Sequence, residues 1–550
     1  MQNYETRALE IHSDLMWREE EIRHALDLIE RYEMNALILH EPDLLNRMTY
    51  PRRYFTPNSA WGAAPPRRGE NLILNTTAYM RNVMAQCRRR GIDFFLNLKE
   101  LAFPDEFMEI APDVIVDGKV CPTHPAWAEL IDARYTDLCE DYPDLAGVIV
   151  SVGSPEGRAT LSSRKCGCER CAGTDAAEWY RWITEGLSRP LAKAGKRLVV
   201  REFSYLPADQ DAVVAGLADL PADIEFAVKP YARDYYPTYP DNPALAALPE
   251  RRRWLEYDVN GQYFGWGVFP CPVVDDLRHR LTRGLEVGAT AVLLRTDWER
   301  INDLTALHNV NGLNLAAGAL LARHPETSPV DALARALEQT NIVDPSVDPE
   351  VRLQVATTLL GLWPVVEKTL YIQGFVYNDS SRIPNGVDHA WWVFAENHNL
   401  DDWDPGAAAR IDVSDPDVTA AMLTEKDRGR ADLLRLVAEI RDWITLGVLR
   451  IPDVYRLGDV AGFMATYIEE FVASGKITIL VRAAQRRDGG ITGQERESLA
   501  AETTVLRDVM ARTERQRTVG AHTHHVGQLL DTARMERMIA DAEQVLAEEK

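Results

Sequence analysis

Three glutamates lie in or directly after short apolar runs of the first 325 residues. Glu156 follows the run "LAGVIV" and stands in the turn-forming segment "SVGSPEG", between a proline and a glycine. Glu225 and Glu256 belong to two later runs, "DIEFAV" and "RWLEYDV". Burying an unpaired carboxylate is costly, so these side chains need either ion-pair partners or a chemical role.

Glycoside hydrolysis is a reaction that needs carboxylates on opposite sides of a bond. One carboxylic acid protonates the leaving oxygen, and a second carboxylate activates water or attacks the anomeric carbon. We therefore predict that Glu156 is the acid and faces Glu225 and Glu256 across a substrate. The alternative interpretation is an ion-pair network between these carboxylates and the basic residues Arg201, Lys229 and Arg295 of neighbouring runs.

Polar and aromatic residues at or after the apolar runs are candidates for substrate binding. Aromatic rings can offer flat apolar faces to a sugar, although each ring can also serve simply as packing. The predicted binding residues are Arg201, Lys229, Asp258, Tyr263, Trp298, His12, His40 and Trp392.

Eight apolar runs alternate with helical patterns over residues 1–325 and predict how these side chains are positioned. Each run is rich in β-branched, leucine or aromatic residues, which is typical of buried parallel strands. The count and the length favour a (β/α)8 TIM barrel over a doubly wound open sheet. The runs span 8–15, 35–40, 93–98, 146–152, 197–203, 223–228, 253–259 and 290–296.

Alternation along two of these runs predicts which side chains point inward. Glu256 and Asp258 share one face of the seventh run, and Glu225 and Lys229 share one face of the sixth. Since barrel active sites lie on the loops after the strands, we expect these charged faces, together with Glu156, at the barrel mouth.

The pattern changes after residue 325, and 326–550 is predicted to be a mainly α-helical C-terminal domain following a catalytic barrel of residues 1–325. Within it, residues 378–406 form an irregular stretch rich in Trp and His. Long stretches without regular structure are often functional loops.

A cysteine cluster, "KCGCERCAG", places Cys166, Cys168 and Cys171 within six residues. Three thiols at this spacing can hold Zn²⁺, but a closed structural site needs a fourth ligand. Cys139, Cys121 or a nearby histidine is the expected fourth ligand. The sequence thus predicts a structural zinc or a thiol cluster, and catalysis is expected to need no cofactor.

The charge balance excludes several partners. A net charge of −23 and a pI near 5.0 argue against nucleic-acid and anionic-membrane partners, which attract clustered Lys and Arg. The first residues show no basic region followed by an apolar stretch, and no apolar run approaches the length of a membrane span. We therefore expect a cytoplasmic protein and, by analogy, a homodimer formed through the helical domain.

Four segments resemble, in order and spacing, those of the α-glucuronidases of glycoside hydrolase family 67. They are "VIVSVGSPEG", "VVREFSY", "IEFAVKP" and "WLEYDVNGQYFGWG". The resemblance implies a general acid at Glu156, a carboxylate pair at Glu225 and Glu256 that activates water with inversion, and an arginine at Arg201 that contacts the sugar. Where that family has a uronate-binding lysine, this sequence has Val152.

The sequence as a whole predicts an exo-acting, inverting glycoside hydrolase that releases a terminal α-linked sugar, such as glucuronic acid, from an oligosaccharide. Two alternatives stay open. One is a metal-dependent barrel hydrolase or lyase that uses the Cys and His groups, and the other is a barrel that binds carbohydrate without catalysis.

Overall fold

Eight parallel strands close into a barrel, as the sequence predicts. The computed structural model describes residues 3–41, 44–55, 70–154, 156–161, 166–298, 305–451, 459–518 and 524–548. The barrel strands are β1 Thr6–Ile11, β2 Ala36–His40, β3 Asp93–Glu100, β4 Gly147–Val152, β5 Arg197–Arg201, β6 Glu225–Val228, β7 Arg253–Asp258 and β8 Ala289–Arg295. Each strand pairs with the next, and β8 closes on β1.

Helices between the strands cover the outside of the barrel. Their ends follow from sequence; for example, the Asp175 side chain accepts a hydrogen bond from the backbone N–H of Glu178 and caps the helix that follows. The helices are Glu19–Arg31, Leu44–Met48, Glu70–Arg89, Phe107–Ile110, Ala126–Asp141, Glu169–Gly173, Ala176–Lys193, Pro207–Ala218, Val274–Glu286 and Gly312–Arg323. A small antiparallel pair, Ile115–Val116 and Lys119–Val120, precedes the fifth of them.

Apolar side chains fill the amino-terminal half of the barrel. Barrels of this type are packed cores rather than pores, and this one follows the rule. The filling residues are Ala8, Ala36, Ile38, Phe95, Ile149, Val199, Ala227, Trp254, Ala291 and Leu293. Two residues further along several strands, the inward positions become polar, as at Glu10, Asn97 and Glu256. Any cavity at the mouth is therefore closed at its base.

A helical region follows the barrel, as predicted, and the boundary near residue 325 stays a prediction. Its helices are Pro329–Gln339, Pro349–Leu360, Leu362–Thr369, Val387–Trp391, Pro416–Thr445, Val460–Arg486, Gly493–Thr518, His524–Leu529 and Thr532–Ala547. A short antiparallel pair, Tyr371–Ile372 and Phe375–Val376, lies among them. Within the described parts of the chain, no helix combines the length and the apolarity needed to cross a bilayer.

The Trp- and His-rich stretch 378–406 differs from the irregular loop that we expected. It contains the helix Val387–Trp391, which continues as a π-helix over Trp392–Asn397. Trp391 and Phe394 are buried and pack against each other with ring centroids 4.9 Å apart. Aromatic residues of this stretch suggested a functional loop. Trp391 and Phe394 instead form an apolar face that packs a helical segment against the core.

Candidate active site

A pocket opens at the carboxyl-terminal mouth of the barrel, where the active sites of such barrels lie. It encloses about 310 Å³ outside the protein atoms, including the part open to solvent. Its wall combines cations, carboxylates, imidazoles and aromatic rings. The lining residues are His12, His40, Lys99, Glu156, Arg201, Phe203, Asp234, Tyr235, Gln262, Arg295 and Trp298.

Glu156 stands on the rim of this pocket, and its side chain is 38 % exposed. The Nζ of Lys99, which comes from β3, donates to its carboxylate. The loop turns out of β4 at Gly153, where φ is +69° and a Cβ would lie 2.5 Å from Cε1 of Tyr180. Only glycine fits a left-handed position against an aromatic ring, so the sequence around Glu156 is set by the turn that presents it.

Glu256 lies beneath the pocket wall as a fully buried carboxylate. Arg201 donates to it with two parallel hydrogen bonds, Nε to Oε2 at 2.5 Å and Nη2 to Oε1 at 2.6 Å. The Tyr235 hydroxyl donates to Oε1 as well, and Nη1 of Arg201 reaches the Ser151 hydroxyl at 3.0 Å. Burial alone would lower the pKa of Arg201, but Glu256 more than offsets this and raises it. The pair is thus fixed by two parallel charge-assisted hydrogen bonds.

Two histidines form the deeper wall, next to Glu10. Nδ1 of His40 is 3.2 Å from Oε1 of Glu10, Nδ1 of His12 is 3.9 Å from the same oxygen, and the ring centroids lie 3.6 Å apart. Burial lowers the pKa of both rings well below the usual value, and the neighbouring cations lower that of His40 further. Both imidazoles are therefore neutral, and within the described structure both nitrogens of His12 lack a hydrogen-bond partner.

Asp297 follows β8 and lies directly behind the histidine wall. It accepts a hydrogen bond from the backbone N–H of His12. Burial raises the pKa of Asp297 to about 7, which the hydrogen bonds and the charge of Arg295 offset only in part. Asp297 therefore changes its protonation near neutral pH, and it does so beside His12, which lines the pocket.

Cations are unusually concentrated at this mouth. Lys99 pairs with Glu156 and Arg201 pairs with Glu256, but Arg295 forms no ion pair with any carboxylate in the described parts of the chain. Its Nη2 donates to Oε1 of Gln262 at 2.6 Å, its Nε has no described partner, and its guanidinium lies over the ring of Tyr235. Burial lowers the pKa of Arg295, but the charges of Asp258 and other nearby carboxylates more than offset this and raise it. The guanidinium is therefore cationic, and an anionic ligand would give it the direct ion pair that no described carboxylate provides.

The structure brings several predicted binding residues to this region. Trp298 lines the pocket, and Lys229 lies beside it with Nζ 3.5 Å from Oδ1 of Asp234. The hydroxyl of Tyr263 donates to the other oxygen of Asp234 at 3.0 Å. Asp258 is buried and accepts hydrogen bonds from two backbone N–H groups of the loop after β7, so it shapes that loop.

Glu225 is not at the mouth, which corrects the expected placement. It is the first residue of β6 and lies at the amino-terminal end of the barrel. Nε and Nη2 of Arg197 each donate to it at 2.7 Å, and Nε1 of Trp254 donates at 2.6 Å. Its cavity is lined by turns that precede β5 and β6, including residues 195–196 and 221–224. Glu225 is therefore one half of an ion pair at the far end, as the alternative interpretation allows.

Trp392 also lies away from the pocket. Its side chain is 46 % exposed on the helical region, where it stacks on His389 with centroids 5.7 Å apart. The histidine of that stretch that approaches the barrel loops is His398, which Arg233 contacts at 2.8 Å through Nη1. Burial lowers the pKa of His398 to about 3, so its Nδ1 accepts hydrogen bonds as a neutral ring.

Sequence reasoning missed several residues of the pocket wall. Lys99 had a usable signal, because Asn97 and Lys99 continue the inward face of Phe95 in the run "DFFLNLKE". For Asp234 and Tyr235, the sequence offered no signal beyond the tyrosine-rich composition of the loop after β6. The other missed residues are Glu10, Phe203 and Gln262, and Arg295 was expected only as an ion-pair partner of the carboxylates.

The predicted cysteines Cys166, Cys168 and Cys171 lie together and do not line the pocket. Cys121 joins them from the segment before the helix Ala126–Asp141, and the four sulfurs lie within 4.8 Å of one another. Cys139, another candidate for the fourth position, is not part of the group.

Comparisons with known proteins find similarity at the level of fold. No family model matches the chain, and no curated protein matches it. A solved GH138 enzyme targeting pectin rhamnogalacturonan II superposes on 92 % of this chain with a TM-score of 0.59 and 12 % identity. This chain covers 61 % of that enzyme, which is less than two thirds of its length.

Two further solved structures superpose less closely. An O-GlcNAc hydrolase from Thermobaculum terrenum gives a TM-score of 0.41 at 10 % identity, over 99 % of this chain and 95 % of that one. A β-N-acetylhexosaminidase from Bacteroides fragilis gives 0.38 at 12 % identity, over 57 % of this chain and 65 % of that one. The similarity defines a barrel fold that glycoside hydrolases share, and the resemblance to family 67 stays a prediction.

Proposed function

We propose that this protein is an exo-acting glycoside hydrolase that removes a terminal α-linked acidic sugar from an oligosaccharide, with inversion at the anomeric carbon. The observation that carries the proposal is a blind pocket with a carboxylate on its rim, the Glu256 carboxylate beneath it, and the buried Arg295, which forms no ion pair with a carboxylate of the described residues. Each part has a role in the reaction.

Glu156 is the proton donor in this proposal. It is the carboxylate on the pocket rim, where the leaving oxygen of a terminal sugar would lie while the rest of the chain extends into solvent. The turn at Gly153 holds it there, since that backbone position tolerates no side chain. A general acid of this kind contributes about 10²- to 10⁴-fold to the rate.

Glu256 is the base. Both of its oxygens are engaged by Arg201 and Tyr235, and it is recessed behind them. A recessed carboxylate reaches the sugar through a water molecule rather than by direct attack, and a water between carboxylate and sugar is the arrangement of an inverting enzyme. Arg201 donates to both oxygens of Glu256 and fixes its position, and in this proposal Glu256 accepts the proton of that water.

The acidic sugar is inferred from the cations. Lys99 and Arg295 both line the pocket. Among the residues that the structure describes, no carboxylate forms a direct ion pair with Arg295, and a uronate would provide one. Val152 stands where family 67 has its uronate-binding lysine, but Lys99 of the neighbouring strand lies beside Glu156 and supplies a cation from a different position. The neutral rings of His12 and His40 can donate to, and accept from, sugar hydroxyls.

Two further features support the proposal. The packed lower barrel closes the base of the pocket, which suits the removal of terminal units. The GH138 enzyme of similar fold is one that targets a pectin polysaccharide. The cytoplasmic location, the oligosaccharide substrate and the homodimer expected from the sequence belong to the same proposal.

The first experiment is NMR spectroscopy of the purified protein with a panel of α-linked uronic acid and neutral oligosaccharides. We expect a free uronic acid whose β-anomer appears first. Appearance of the α-anomer first would refute inversion and make Glu256 a nucleophile. Release of neutral sugars alone would refute the acidic specificity, and line broadening of a ligand without any product would favour a barrel that only binds carbohydrate.

Two variants separate chemistry from recognition. Glu156→Gln should reduce kcat by about 10²- to 10⁴-fold. The variant should stay folded with a somewhat lower unfolding midpoint, because the buried Lys99 loses a charged partner but keeps an amide oxygen as acceptor. Arg295→Met should raise KM for the acidic sugar about tenfold or more, since a hydrogen bond to a charged group is worth roughly 1.5–3 kcal/mol. Turnover of Glu156→Gln at the parent rate would refute the assignment of the acid.

A metal-dependent hydrolase is the second candidate, because Glu10, His12 and His40 place three ligand atoms within 4.8 Å of one another. The neighbouring cations, which lower the pKa of His40, also oppose a metal ion at this position. Activity that disappears on dialysis against a chelator and returns with one divalent metal would support this candidate. Activity that survives complete chelation would remove it.

A further inference from the structure

We infer that Cys121, Cys166, Cys168 and Cys171 form a closed Zn²⁺ site that fastens the loop carrying Glu156 to the segment before the helix Ala126–Asp141. The three clustered cysteines follow β4, whereas Cys121 comes 45 residues before the first of them. This inference stands independently of the proposed function, since it concerns metal binding outside the pocket.

The separations of the sulfurs match a tetrahedral metal site. Zn–S bonds of about 2.3 Å give a tetrahedron whose edges are about 3.8 Å. The Sγ of Cys121 lies 3.8 Å from that of Cys168 and 3.6 Å from that of Cys171, and Cys166 and Cys171 are 3.5 Å apart. These distances exceed the bond of about 2.05 Å that joins a disulfide, and all four cysteines are free thiols.

The surroundings of the four sulfurs suit a structural site. Cys121, Cys166 and Cys171 are buried, and Cys168 is partly exposed, so little room remains for a water or substrate at the centre. The backbone N–H of Cys171 donates to Sγ of Cys168 at 3.4 Å. The hydroxyl of Thr123 lies 3.2 Å from Sγ of Cys171. Hydrogen bonds from such donors stabilise thiolate ligands.

The chemistry of the donor set selects the metal. Four thiolates favour zinc or iron over the hard cations magnesium and calcium, and a site with four protein ligands is structural rather than catalytic. The thiols are deprotonated when they bind the ion. Without metal, the described cluster has weak hydrogen bonds between its thiols in place of metal–sulfur bonds.

Two tryptophans hold the segment of Cys121, and one of them, Trp179, also contacts the loop of Glu156. Nε1 of Trp127 donates to the carbonyl of Cys121 at 2.7 Å, and Nε1 of Trp179 donates to the carbonyl of Pro122 at 2.9 Å. The ring of Trp179 also occupies the space beside Gly153, where a Cβ would lie 2.8 Å from its Cζ3. Zinc at the cysteines would thereby hold the packing against which the loop turns.

The test is the metal content of the full chain, purified without chelator and measured by elemental mass spectrometry. We expect about one zinc per chain. Cys121→Ser should reduce the zinc content about tenfold or more, although residue 121 is remote in sequence from the other three. Cys139→Ser is the matched control, because Cys139 is also largely buried but lies outside the group, and it should keep its zinc.

Cobalt substitution reports the ligand set directly. Replacement of zinc by Co²⁺ should give the intense visible absorption of a tetrahedral tetrathiolate site, and Cys121→Ser should abolish or shift it. A chain with neither zinc nor cobalt binding would overturn the inference, as would iron in place of zinc. A Cys121→Ser protein that keeps its full zinc content would overturn the assignment of the fourth ligand.

Hydrogen exchange tests the fastening of the loop. Removal of zinc should speed amide exchange in the peptide that covers residues 151–161, while a peptide from β8 stays unchanged. Unchanged exchange near Glu156 after complete removal of zinc would refute the link to the loop. None of these measurements needs a substrate, so failure of the proposed hydrolase function would leave them informative.

Discussion

Glu225 provides the sharpest test of how the structure divides the three glutamates. The residue is buried at the amino-terminal end of the barrel and accepts three hydrogen bonds, two from Arg197 and one from Trp254. Glu225→Gln removes the charge while keeping the shape of the side chain. One of the donors then faces an amide N–H group instead of a carboxylate oxygen.

The expected cost follows from these contacts. Breaking a fully buried ion pair by removing one partner costs about 3–5 kcal/mol, and a hydrogen bond to a charged group contributes about 1.5–3 kcal/mol. The Arg197 side chain is 28 % exposed and can regain some hydration in the variant. We therefore expect the free energy of unfolding to fall by roughly 2–3 kcal/mol, which is less than for a fully buried pair and within the range for a hydrogen bond to a charged group.

Urea unfolding followed by tryptophan fluorescence measures this loss, and sugar release from the substrate identified by NMR measures activity. We expect a lower unfolding midpoint with kcat and KM close to those of the parent. The double variant Arg197→Met/Glu225→Met serves as control, because replacing both charges should cost less than the two single changes together. A loss of kcat of about 100-fold or more at unchanged stability would refute the reasoning and return Glu225 to the catalytic site.

Two further predictions concern the mouth. Burial raises the pKa of Asp297 from 3.8 to about 7, so between those values the folded state holds a proton that the unfolded state releases, and stability falls as pH rises through this window. Between pH 4 and pH 7, the free energy of unfolding should fall less for Asp297→Asn than for the parent protein. Equal shifts of the urea midpoint in the two proteins would contradict this. Gly153→Ala should destabilise the fold by at least about 1–2 kcal/mol from its left-handed backbone alone and lower kcat. Gly186 lies in a helix, and a Cβ added there would have its nearest contact at 3.6 Å. As the control, Gly186→Ala should leave the melting temperature unchanged or raise it when the two variants are compared by thermal unfolding.

The amino-acid pattern was sufficient for the barrel because each strand carries its own signal. Buried parallel strands need apolar residues on both faces, and this requirement is local to runs of four to eight residues. Glu156 was also recognisable, since a carboxylate in a tight turn after the fourth run follows from chain order and the known location of barrel active sites.

Alternation determined which face a strand residue uses but not its height along the barrel axis. Glu225 and Glu256 both belong to the barrel strands, as predicted, yet Glu225 begins β6 whereas Glu256 is the fourth residue of β7. That difference depends on the pairing register between neighbouring strands, with Glu225 opposite Val199. Register is set by contacts between segments distant in sequence.

Assembly of the pocket and of the cysteine group likewise needed the tertiary structure. Lys99 meets Glu156, Tyr235 meets Glu256, and Cys121 meets Cys171 across sequence separations of 57, 21 and 50 residues. The alternating strands and helices could be predicted from the sequence, because they follow from local periodicity. Which charges meet, and at which end of the barrel, was decided by closure of the sheet, since only closure brings separate strands and loops to one place.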